Sequence, residues 1–267
     1  MDDRRYILAT GDRAVDRLKL LDEIFGPSTR ELLLSAGLRE GMTVADIGCG
    51  TGLVALWIAA QLGPSGSVVA VDASAEQLGL AEQNAAGAGL KNLSFHRATA
   101  YETTLNRADF DLVYSRFLMC HLTEPEKALV EMRALLKSGG VLVCEDHDDG
   151  GIFSQPQTPA YKRLVEISRA VNRAHGLDSC IGLKLPRMVQ QAGFQHPEVA
   201  VKQVARLRGP TKRFWEITLR EAAPAIIKAG AATQTELDSL CAEILGIAHD
   251  DTTLVMLARV TQVWAQK

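Results

Sequence analysis

The chain has 267 residues, of which 32 are acidic and 29 basic, giving a formal net charge of −3. Hydrophobic residues make up 47% of the sequence, which is enough apolar surface for a folded core and excludes an intrinsically disordered chain. Acidic and basic residues are intermixed, so the charge pattern favours neither nucleic acid nor an anionic membrane as a partner. We therefore expect the partner to be a small molecule.

The sequence pattern also shows no targeting segment and no disulfide or zinc-binding arrangement of cysteines. Residues 1–5 are mostly polar and lead into no apolar segment, and no run of about 18 apolar residues occurs. The five cysteines are scattered without a C-x-x-C pair, which argues against a zinc knuckle or a disulfide framework. These features predict a cytoplasmic protein, and they leave monomer and homodimer equally open.

In chain order, two amphipathic helices are predicted within residues 12–37, because apolar residues at helical spacing occur on both sides of Gly26 and Pro27. From Met42 short apolar strands alternate with helical segments, a pattern typical of a doubly wound parallel sheet. The predicted strands are 43–47, 67–72, 92–96, 110–115 and 140–145, and the predicted helices are 53–62, 75–87 and 124–137.

The regular alternation stops after Glu145. Residues 146–151 are rich in Asp and Gly and precede two prolines, so a loop is predicted at the carboxyl end of the fifth strand, where open α/β sheets bind ligands. Beyond it, helices are predicted at 158–175, 183–192, 211–229 and 234–246, and strands at 196–206 and 253–263. The expected fold class is α/β, with a doubly wound, mostly parallel, seven-stranded sheet.

The most informative segment is VADIGCGTG at 44–52, a buried strand that breaks into a glycine turn ahead of an apolar helix. Alternate glycines let the backbone approach a ligand, and the helix start presents unpaired N–H groups. Leu53 stands where a dinucleotide fingerprint needs its third glycine, and no Gly-Lys-Ser/Thr follows to form a phosphate loop. Asp72 closes the next strand, where an acid accepts from both hydroxyls of a ribose. The segment predicts a site for a nucleotide-like cofactor.

Together, the D-x-G-x-G-x-G string and Asp72 resemble motif I and the ribose-binding acid of the class I S-adenosylmethionine (SAM)-dependent methyltransferases. The likeness continues through the third strand, 109–115 and 136–143, and covers roughly residues 30–147. It implies a Rossmann-like fold with an antiparallel pair of closing strands and methyl transfer from SAM to an O, N or C atom of a small metabolite, with S-adenosylhomocysteine as product. Two alternatives stay open: a SAM-binding protein of this fold without methyl transfer, and a nicotinamide-dependent oxidoreductase.

The resemblance also divides the chain into functional parts. Residues 1–40 are expected to form an N-terminal helical lid, 41–149 the SAM-binding core, and 150–182 a second lid segment. Residues 183–267 complete the core and carry a helical insert at about 210–248.

By the same resemblance, the glycine turn and the next strand hold the cofactor. Gly48, Gly50 and Gly52 line its methionine and ribose portion, and Asp46 helps to orient the α-amino group. Asp72 holds the ribose hydroxyls, with Ala73 packing against the adenine. Gln77 either reaches the ribose or closes a capping box with the preceding serine.

The ends of the third and fourth strands complete the expected cofactor site. The family's usual Gly-Asp-Ala is replaced here by Ala98, Thr99 and Ala100, so Thr99 offers the adenine a hydroxyl without charge. Ser115 and Arg116 stand where the family contacts the methionine end. The string 116–122 resembles the branch that includes quinone and natural-product methyltransferases, and the signatures of nucleobase and protein arginine methylation are absent.

Two histidines are candidates for catalysis. His147 is the preferred general base because it follows the fifth strand, with Asp146 and Asp148 nearby to raise its basicity; the alternative is an exposed loop histidine. His121 either points into the cleft or is a structural histidine. Adjacent acids at 145–149 cannot all converge on one ion, so no metal site is predicted.

The lid segments supply further candidates, for which ordinary core or surface placement is the alternative. Tyr6, Arg13 and Arg17 are candidate contacts to the cofactor carboxylate. The candidate acceptor-pocket residues are Phe153, Tyr161, His175, Phe214 and Trp215.

Overall fold

The computed structural model describes residues 7, 8 and 10–267, apart from the side chains of Asp12 and Arg13. Tyr6 and the side chain of Arg13 therefore lie outside the described residues, and the contacts predicted for them stay predictions. Within the described part of the chain, no helix has the length and apolar character needed to cross a membrane.

The centre of the molecule is one sheet. Its strands are β1 (Thr43–Ile47), β2 (Ser67–Asp72), β3 (Leu93–Arg97), β4 (Phe110–Arg116), β5 (Leu136–Asp148), β6 (Phe153–Gln155), β7 (Gln195–Arg206) and β8 (Leu254–Gln266). The order is β3-β2-β1-β4-β5-β8, and both β6 and β7 pair with β8. The first five strands are parallel, whereas β8 is antiparallel to each of its neighbours. The mostly parallel α/β sheet is therefore confirmed.

Helices cover both faces of the sheet. They are α1 (Val15–Ser35), α2 (Leu53–Leu62), α3 (Ala75–Ala88), α4 (Pro125–Leu135), α5 (Pro159–Ala174), α6 (Leu185–Gln191), α7 (Phe214–Lys228) and α8 (Gln234–His249). Alternate residues of β1 show the two-sided burial: Val44 packs with α2, while Ala45 and Ile47 pack in the cluster that contains α4 and α6. A third apolar cluster joins α1, α5, α7 and α8 to one end of β8. This third cluster forms a helical cap beside the carboxyl ends of the parallel strands.

The prediction of two N-terminal helices was wrong, because α1 is one helix of 21 residues that continues through Pro27. A proline inside a helix removes a backbone hydrogen bond and costs about 3 kcal/mol. Here Phe25 before the proline and Leu33 after it are both buried. Thr29 also donates to Glu145 at 2.5 Å. Tertiary contacts on both sides of Pro27 hold the helix continuous, and local sequence does not report them.

The predicted loop after Glu145 was also wrong in its first residues, since β5 continues to Asp148. His147 and Asp148 pair with Val260 and Arg259 of β8, so the long final strand extends β5. Only a short 3-10 turn at Asp149–Gly151 remains before β6. The short strand β6 was not predicted and brings the sheet to eight strands instead of seven. His147 thus lies on the sheet rather than in a loop.

Candidate functional site

The glycine turn after β1 has the backbone that its sequence predicts. Gly48, Gly50 and Gly52 have φ angles of 79°, 56° and 75°, in the left-handed region that favours glycine. A Cβ at Gly48 would lie 2.9 Å from the Leu118 side chain, and one at Gly52 would lie 2.9 Å from the Cβ of Ala81. A Cβ at Gly50 would meet nothing within 4 Å. Packing thus requires the outer two glycines, while the middle one faces open space.

Two adjoining cavities of about 450 and 620 Å³ lie at the carboxyl ends of β1, β2 and β4. They share Gly48, Gly50 and Arg116, together with Leu18 and Leu21 from α1. We refer to them jointly as the strand-end cavity, which Asp46, Asp72 and Gln77 also line. The sequence-predicted residues that the structure brings together around it are Asp46, Gly48, Gly50, Asp72, Gln77 and Arg116.

Asp72 ties the end of β2 to the glycine turn. One carboxylate oxygen accepts from the backbone N–H of Gly50 at 2.9 Å, and the other accepts from that of Ser74 at 2.9 Å. Because Asp72 holds the Ser74 N–H, the side chain of Gln77 does not close a capping box there. The Gln77 side chain is instead buried, and within the described part of the chain its Oε1 has no hydrogen-bond partner. The structure therefore favours the ligand-binding reading of Gln77.

Asp46 lies at the deep end of the strand-end cavity. Its side chain is buried, and its Oδ2 has no hydrogen-bond partner among the residues that the structure describes. Burial raises the pKa of Asp46 to about 7, with Arg116 opposing the rise and Asp72 adding to it. A buried carboxylate oxygen without a partner is matched by a cationic donor from a ligand, such as an ammonium group.

Arg116 holds α1 over this cavity. Its guanidinium donates to Thr29 Oγ1 and to Asp22 Oδ1, both at 3.1 Å. Glu145 accepts from Thr29 and, at 2.7 Å, from the hydroxyl of Tyr114. Burial raises the pKa of Tyr114 well above its usual range, so the phenol remains a donor. This buried network fixes α1 across the ends of β4 and β5.

Five other residues predicted for the cofactor do not line the strand-end cavity. The Ser115 hydroxyl lies 3.2 Å from the Cys144 sulfur in the interior, and Ala100 packs in the core. Thr99 Oγ1 accepts from the Glu102 N–H at 3.2 Å. The Ala73 carbonyl accepts from the Arg97 side chain at 3.3 Å. Gly52 likewise serves packing rather than the cavity wall. The cofactor contacts of these residues stay predictions.

A larger cavity of about 960 Å³, measured to its open mouth, lies under the helical cap. We call it the apolar cavity because most of its wall is aliphatic or aromatic; it includes Leu21, Phe25, Leu164, Ile167, Leu219 and Ile226. Of the lid residues predicted for an acceptor, Phe214 and Trp215 line it, whereas Phe153, Tyr161 and His175 do not.

One edge of the apolar cavity is polar and centres on His147. Its Nδ1 lies 3.2 Å from Asp146 Oδ1 and its Nε2 lies 3.5 Å from Asp149 Oδ1. Asp149 also accepts from the Ser168 hydroxyl at 2.6 Å. We call these four residues the His147 cluster. Asp148, which was expected beside His147, is instead bound by Arg259, whose Nε lies 3.0 Å from Asp148 Oδ2.

The electrostatics of the His147 cluster favour a protonated imidazole. Burial opposes the positive charge, but the hydrogen bond with Asp146 and the charges of Asp149, Asp146 and Asp148 raise the pKa of His147 to about 9. Burial also raises the pKa of Asp149. A protonated imidazole between the side chains of Asp146 and Asp149 is thus the favoured arrangement of the cluster.

His121 behaves in the opposite way. Burial lowers its pKa to about 4, with Asp146 opposing and with His147 and Arg17 adding to the decrease. The two histidines border the same cavity with well separated pKa values, a pattern typical of sites that move protons.

Cys120 is a neighbour that the sequence did not indicate. Its sulfur, a carboxylate oxygen of Asp146 and an imidazole nitrogen of His147 all lie within 4.8 Å of one another. Burial raises the pKa of Cys120 well above its usual range, which keeps the thiol protonated. The prediction that no metal is bound stays a prediction.

The strand-end cavity and the apolar cavity meet. Arg17, Leu21, Phe117 and His121 line both of them. Phe117 has a φ of 51°, an unusual conformation for an aromatic residue, and its N–H donates to the Glu145 carbonyl at 2.9 Å. Its ring lies edge-to-face against Phe25 and His147, with centroids 5.2 and 6.0 Å apart. Sequence reasoning missed Phe117, although its place just after β4 was a usable signal.

The fold and the glycine-turn site define the class I methyltransferase type. Residues 38–198 match the family model described as a methyltransferase domain, so the chain belongs to that family. The predicted relationship to class I SAM-dependent methyltransferases is thereby confirmed, with SAM as the cofactor of the family. The match gives no support to the nicotinamide alternative.

Individual proteins with similar sequences or structures are consistent with this family. Demethylmenaquinone methyltransferase of Staphylococcus aureus is 28% identical over 135 residues, which cover 51% of this chain and 53% of that protein. This chain thus spans about half the length of the curated relatives it matches. The YcgJ protein of Bacillus subtilis shares the fold with a TM-score of 0.60 at 18% identity, covering 91% of this chain and 98% of that one. Phosphoethanolamine N-methyltransferase 2 of Haemonchus contortus has a TM-score of 0.60 at 18% identity and covers 93% of this chain and 56% of that one.

The residues of the strand-end cavity fit SAM chemically. The partnerless Asp46 oxygen matches the α-ammonium group, and the partnerless Gln77 oxygen matches a ribose hydroxyl. The open space at Gly50 leaves room for a ligand against the backbone.

Proposed function

We propose that this chain transfers a methyl group from SAM to a small, apolar acceptor bound in the apolar cavity. The observation that carries the proposal is the junction of the two cavities at Arg17, Leu21, Phe117 and His121. A direct displacement needs the methyl donor and the acceptor atom in line and in contact, and a shared wall between two cavities provides that meeting point.

SAM supplies a methyl group that its sulfonium already activates, so the main task of the protein is to position it. Asp46 would hold the ammonium group, and Asp72 and Gln77 would hold the ribose hydroxyls. Arg116 positions α1 above them through Thr29 and Asp22.

The helical cap would act as the lid. Helices α1, α5 and α7 contribute the apolar wall of the cavity, and closing this wall over an acceptor excludes water from the reaction. The N-terminal residues and segment 150–182 are thus the proposed lid, and the structure adds α7 from the C-terminal insert.

An acceptor that must lose a proton would give it to the His147 cluster. His147 is favoured in its protonated form, so the carboxylates that contact it, Asp146 and Asp149, are the groups that would take up this proton. Asp149 is the proposed proton acceptor because it lines the apolar cavity, whereas Asp146 does not, and because burial raises the pKa of Asp149. His147 would act by holding Asp149 and passing the charge change to Asp146, not as a free neutral base.

The proposal also includes the compartment, the assembly and the partners. The enzyme would be cytoplasmic, would be a monomer or a homodimer, and would act without nucleic acid or a membrane. The intermixed charges of the sequence support this choice of partner class. Light scattering on purified protein measures the assembly, and an assembly larger than a dimer would contradict the proposal.

The test of methyl transfer is an assay with methyl-labelled SAM and a panel of apolar acceptors. We expect label in at least one product, and one S-adenosylhomocysteine released per methyl group transferred. Binding of SAM without label transfer to any acceptor, but with turnover of an acceptor by another reaction, would favour the alternative of a SAM-binding protein without methyl transfer.

A further inference from the structure

Among the described residues, four buried polar atoms at the two cavities have no hydrogen-bond partner. Asp46 Oδ2 and Gln77 Oε1, in the strand-end cavity, are acceptors. Arg17 Nη2, on a residue that lines both cavities, and Trp215 Nε1, in the apolar cavity, are donors. Buried polar groups in folded proteins are nearly always paired, so each of these atoms marks a place where a ligand supplies the partner.

The donor atoms belong to well-fixed side chains. Arg17 is only 4% exposed and its Nε donates to Glu221 at 2.7 Å, which leaves Nη2 beside the junction of the cavities. Trp215 is buried on α7, and its ring lies edge-to-face against Phe214 with centroids 5.0 Å apart. Trp215 lines the apolar cavity but not the strand-end cavity. Its N–H is therefore placed to contact the methyl acceptor and not the cofactor.

The donors define what an acceptor molecule must carry. A neutral amine has one nitrogen lone pair, which must attack the methyl group, so it could not also accept from the guanidinium or the indole N–H. Oxygen atoms would satisfy them, and the rest of the molecule must be apolar to fill the surrounding wall.

We propose that the methyl acceptor is an apolar molecule with a hydroxyl group on an unsaturated carbon and a second oxygen elsewhere. The hydroxyl, phenolic or enolic, would lie at the junction between Arg17 and the His147 cluster and would be the methylated atom. The second oxygen would accept from Trp215. This inference rests on the proposed function and narrows it to O-methylation.

The reaction balances without any further reagent. The hydroxyl proton moves to Asp149, and an oxygen lone pair forms the bond to the methyl carbon. The bond from that carbon to sulfur breaks with its electron pair on sulfur, which yields the methyl ether and neutral S-adenosylhomocysteine. Arg17 stabilises the negative charge that develops on the oxygen.

The test uses protein saturated with S-adenosylhomocysteine and titrated with four probes: 4-methoxy-1-naphthol, 4-methoxy-1-naphthylamine, 1-naphthol and 2-hydroxy-1,4-naphthoquinone. We expect the methoxynaphthol or the hydroxynaphthoquinone to bind about tenfold more tightly than the amine, and the better of the two identifies a phenol or an enol. Equal or tighter binding of the amine, or binding of none of the probes, would overturn the proposal. Failure of S-adenosylhomocysteine itself to bind would instead overturn the proposed function.

Two variants locate the contacts. Trp215→Phe should weaken 4-methoxy-1-naphthol about fivefold while leaving 1-naphthol and S-adenosylhomocysteine unchanged. Trp264→Phe is the matched control, because Trp264 lines neither cavity, and it should change none of the three. An unchanged affinity for 4-methoxy-1-naphthol in Trp215→Phe would contradict the assigned contact.

The double variant Arg17→Met with Glu221→Gln removes the guanidinium without leaving a buried charge. Bound naphthol should then ionise at a higher pH than in the unmodified protein, as followed by naphtholate absorbance. An unchanged ionisation pH would remove Arg17 from the proposed site.

Discussion

The strand-end cavity and the apolar cavity are assembled in different ways. Half of the residues that line the first lie within 46–77, at two neighbouring strand ends, and the others lie within 10–21 and 114–121. The second combines residues from Ile7 to Ala258, on α1, β5, α5, α7 and β8. On the proposed function, the local motif would hold the cofactor, whereas the tertiary packing of distant helices would select the molecule that is methylated.

The comparison predicts separable effects of substitution. Changes at the strand ends should alter cofactor affinity, and changes in the His147 cluster or on α7 should alter turnover or acceptor binding. The predictions below begin with the largest expected effect.

His147→Ala should lower turnover about 10²- to 10⁴-fold, because the variant disrupts the cluster that takes up the acceptor proton. Affinity for S-adenosylhomocysteine should stay within about twofold, since His147 does not line the strand-end cavity. Initial rates with labelled SAM and calorimetry measure the two quantities. His175→Ala is the control: its ring bonds the Val171 carbonyl at 2.9 Å and borders neither cavity. Unaltered turnover in His147→Ala would return His147 to a structural role.

Asp72→Ala should weaken S-adenosylhomocysteine binding at least tenfold, because hydrogen bonds to a charged group contribute about 1.5–3 kcal/mol each. The loss also frees the Gly50 and Ser74 N–H groups that shape the turn. Calorimetric titration measures the effect. The affinity of Asp72→Asn for S-adenosylhomocysteine should lie between those of the unmodified protein and Asp72→Ala. An unchanged dissociation constant for Asp72→Ala would contradict the prediction that Asp72 binds the ribose hydroxyls.

Gly52→Ala and Gly50→Ala should separate packing from binding within one turn. Both force alanine into positive φ, but only the Gly52 substitution also drives a Cβ to 2.9 Å from Ala81. Over-packing costs about 1–3 kcal/mol, so Gly52→Ala should have the lower melting temperature. Gly50→Ala should be the more stable of the two and lose more cofactor affinity. Gly87→Ala, with nothing within 4 Å of its Cβ and no positive φ, is the control. The reverse order of melting temperatures would contradict the account.

The smallest effect concerns pH. The pKa of His147 is raised from 6.5 to about 9 in the folded protein, so its protonated form stabilises the fold. That contribution is complete below about pH 6.5 and is lost as the pH rises through 9. Between pH 6 and 9.5 the unmodified protein should therefore lose about 1–3 kcal/mol of unfolding free energy relative to His147→Gln. Urea unfolding of both proteins at several pH values measures this difference. A difference in unfolding free energy that stays constant from pH 6 to 9.5 would refute the prediction.

The same contrast explains how much the sequence revealed. The strands β1 to β4, the glycine turn and Asp72 were predicted because each depends on residues close together in the chain. The continuity of α1 through Pro27 was not, since it depends on burial against the cap and on the bond from Thr29 to Glu145. The extension of β5 to Asp148 was missed because its partner Arg259 lies more than a hundred residues away.

The site residues show the same difference between features set by local sequence and features set by tertiary contacts. Asp46, Gly48, Gly50, Asp72, Gln77 and Arg116 follow a motif and were predicted. His147 was predicted, but its contact with Asp149 was not, nor was the bond to Asp149 from Ser168 of α5. Phe117 was missed although it directly follows the predicted Arg116. The position of Cys120 beside Asp146 and His147 arises from how β4 and β5 end beside the cap, which no local pattern encodes.

The most direct measurement is calorimetric titration of the purified protein with S-adenosylhomocysteine, with NADH titrated into a parallel sample. The account predicts binding of S-adenosylhomocysteine with a dissociation constant on the order of 1 μM, equivalent to about 8 kcal/mol, and no heat from NADH. Binding of NADH, or of neither ligand, would contradict the assignment of the cavity around Gly48, Gly50 and Asp72.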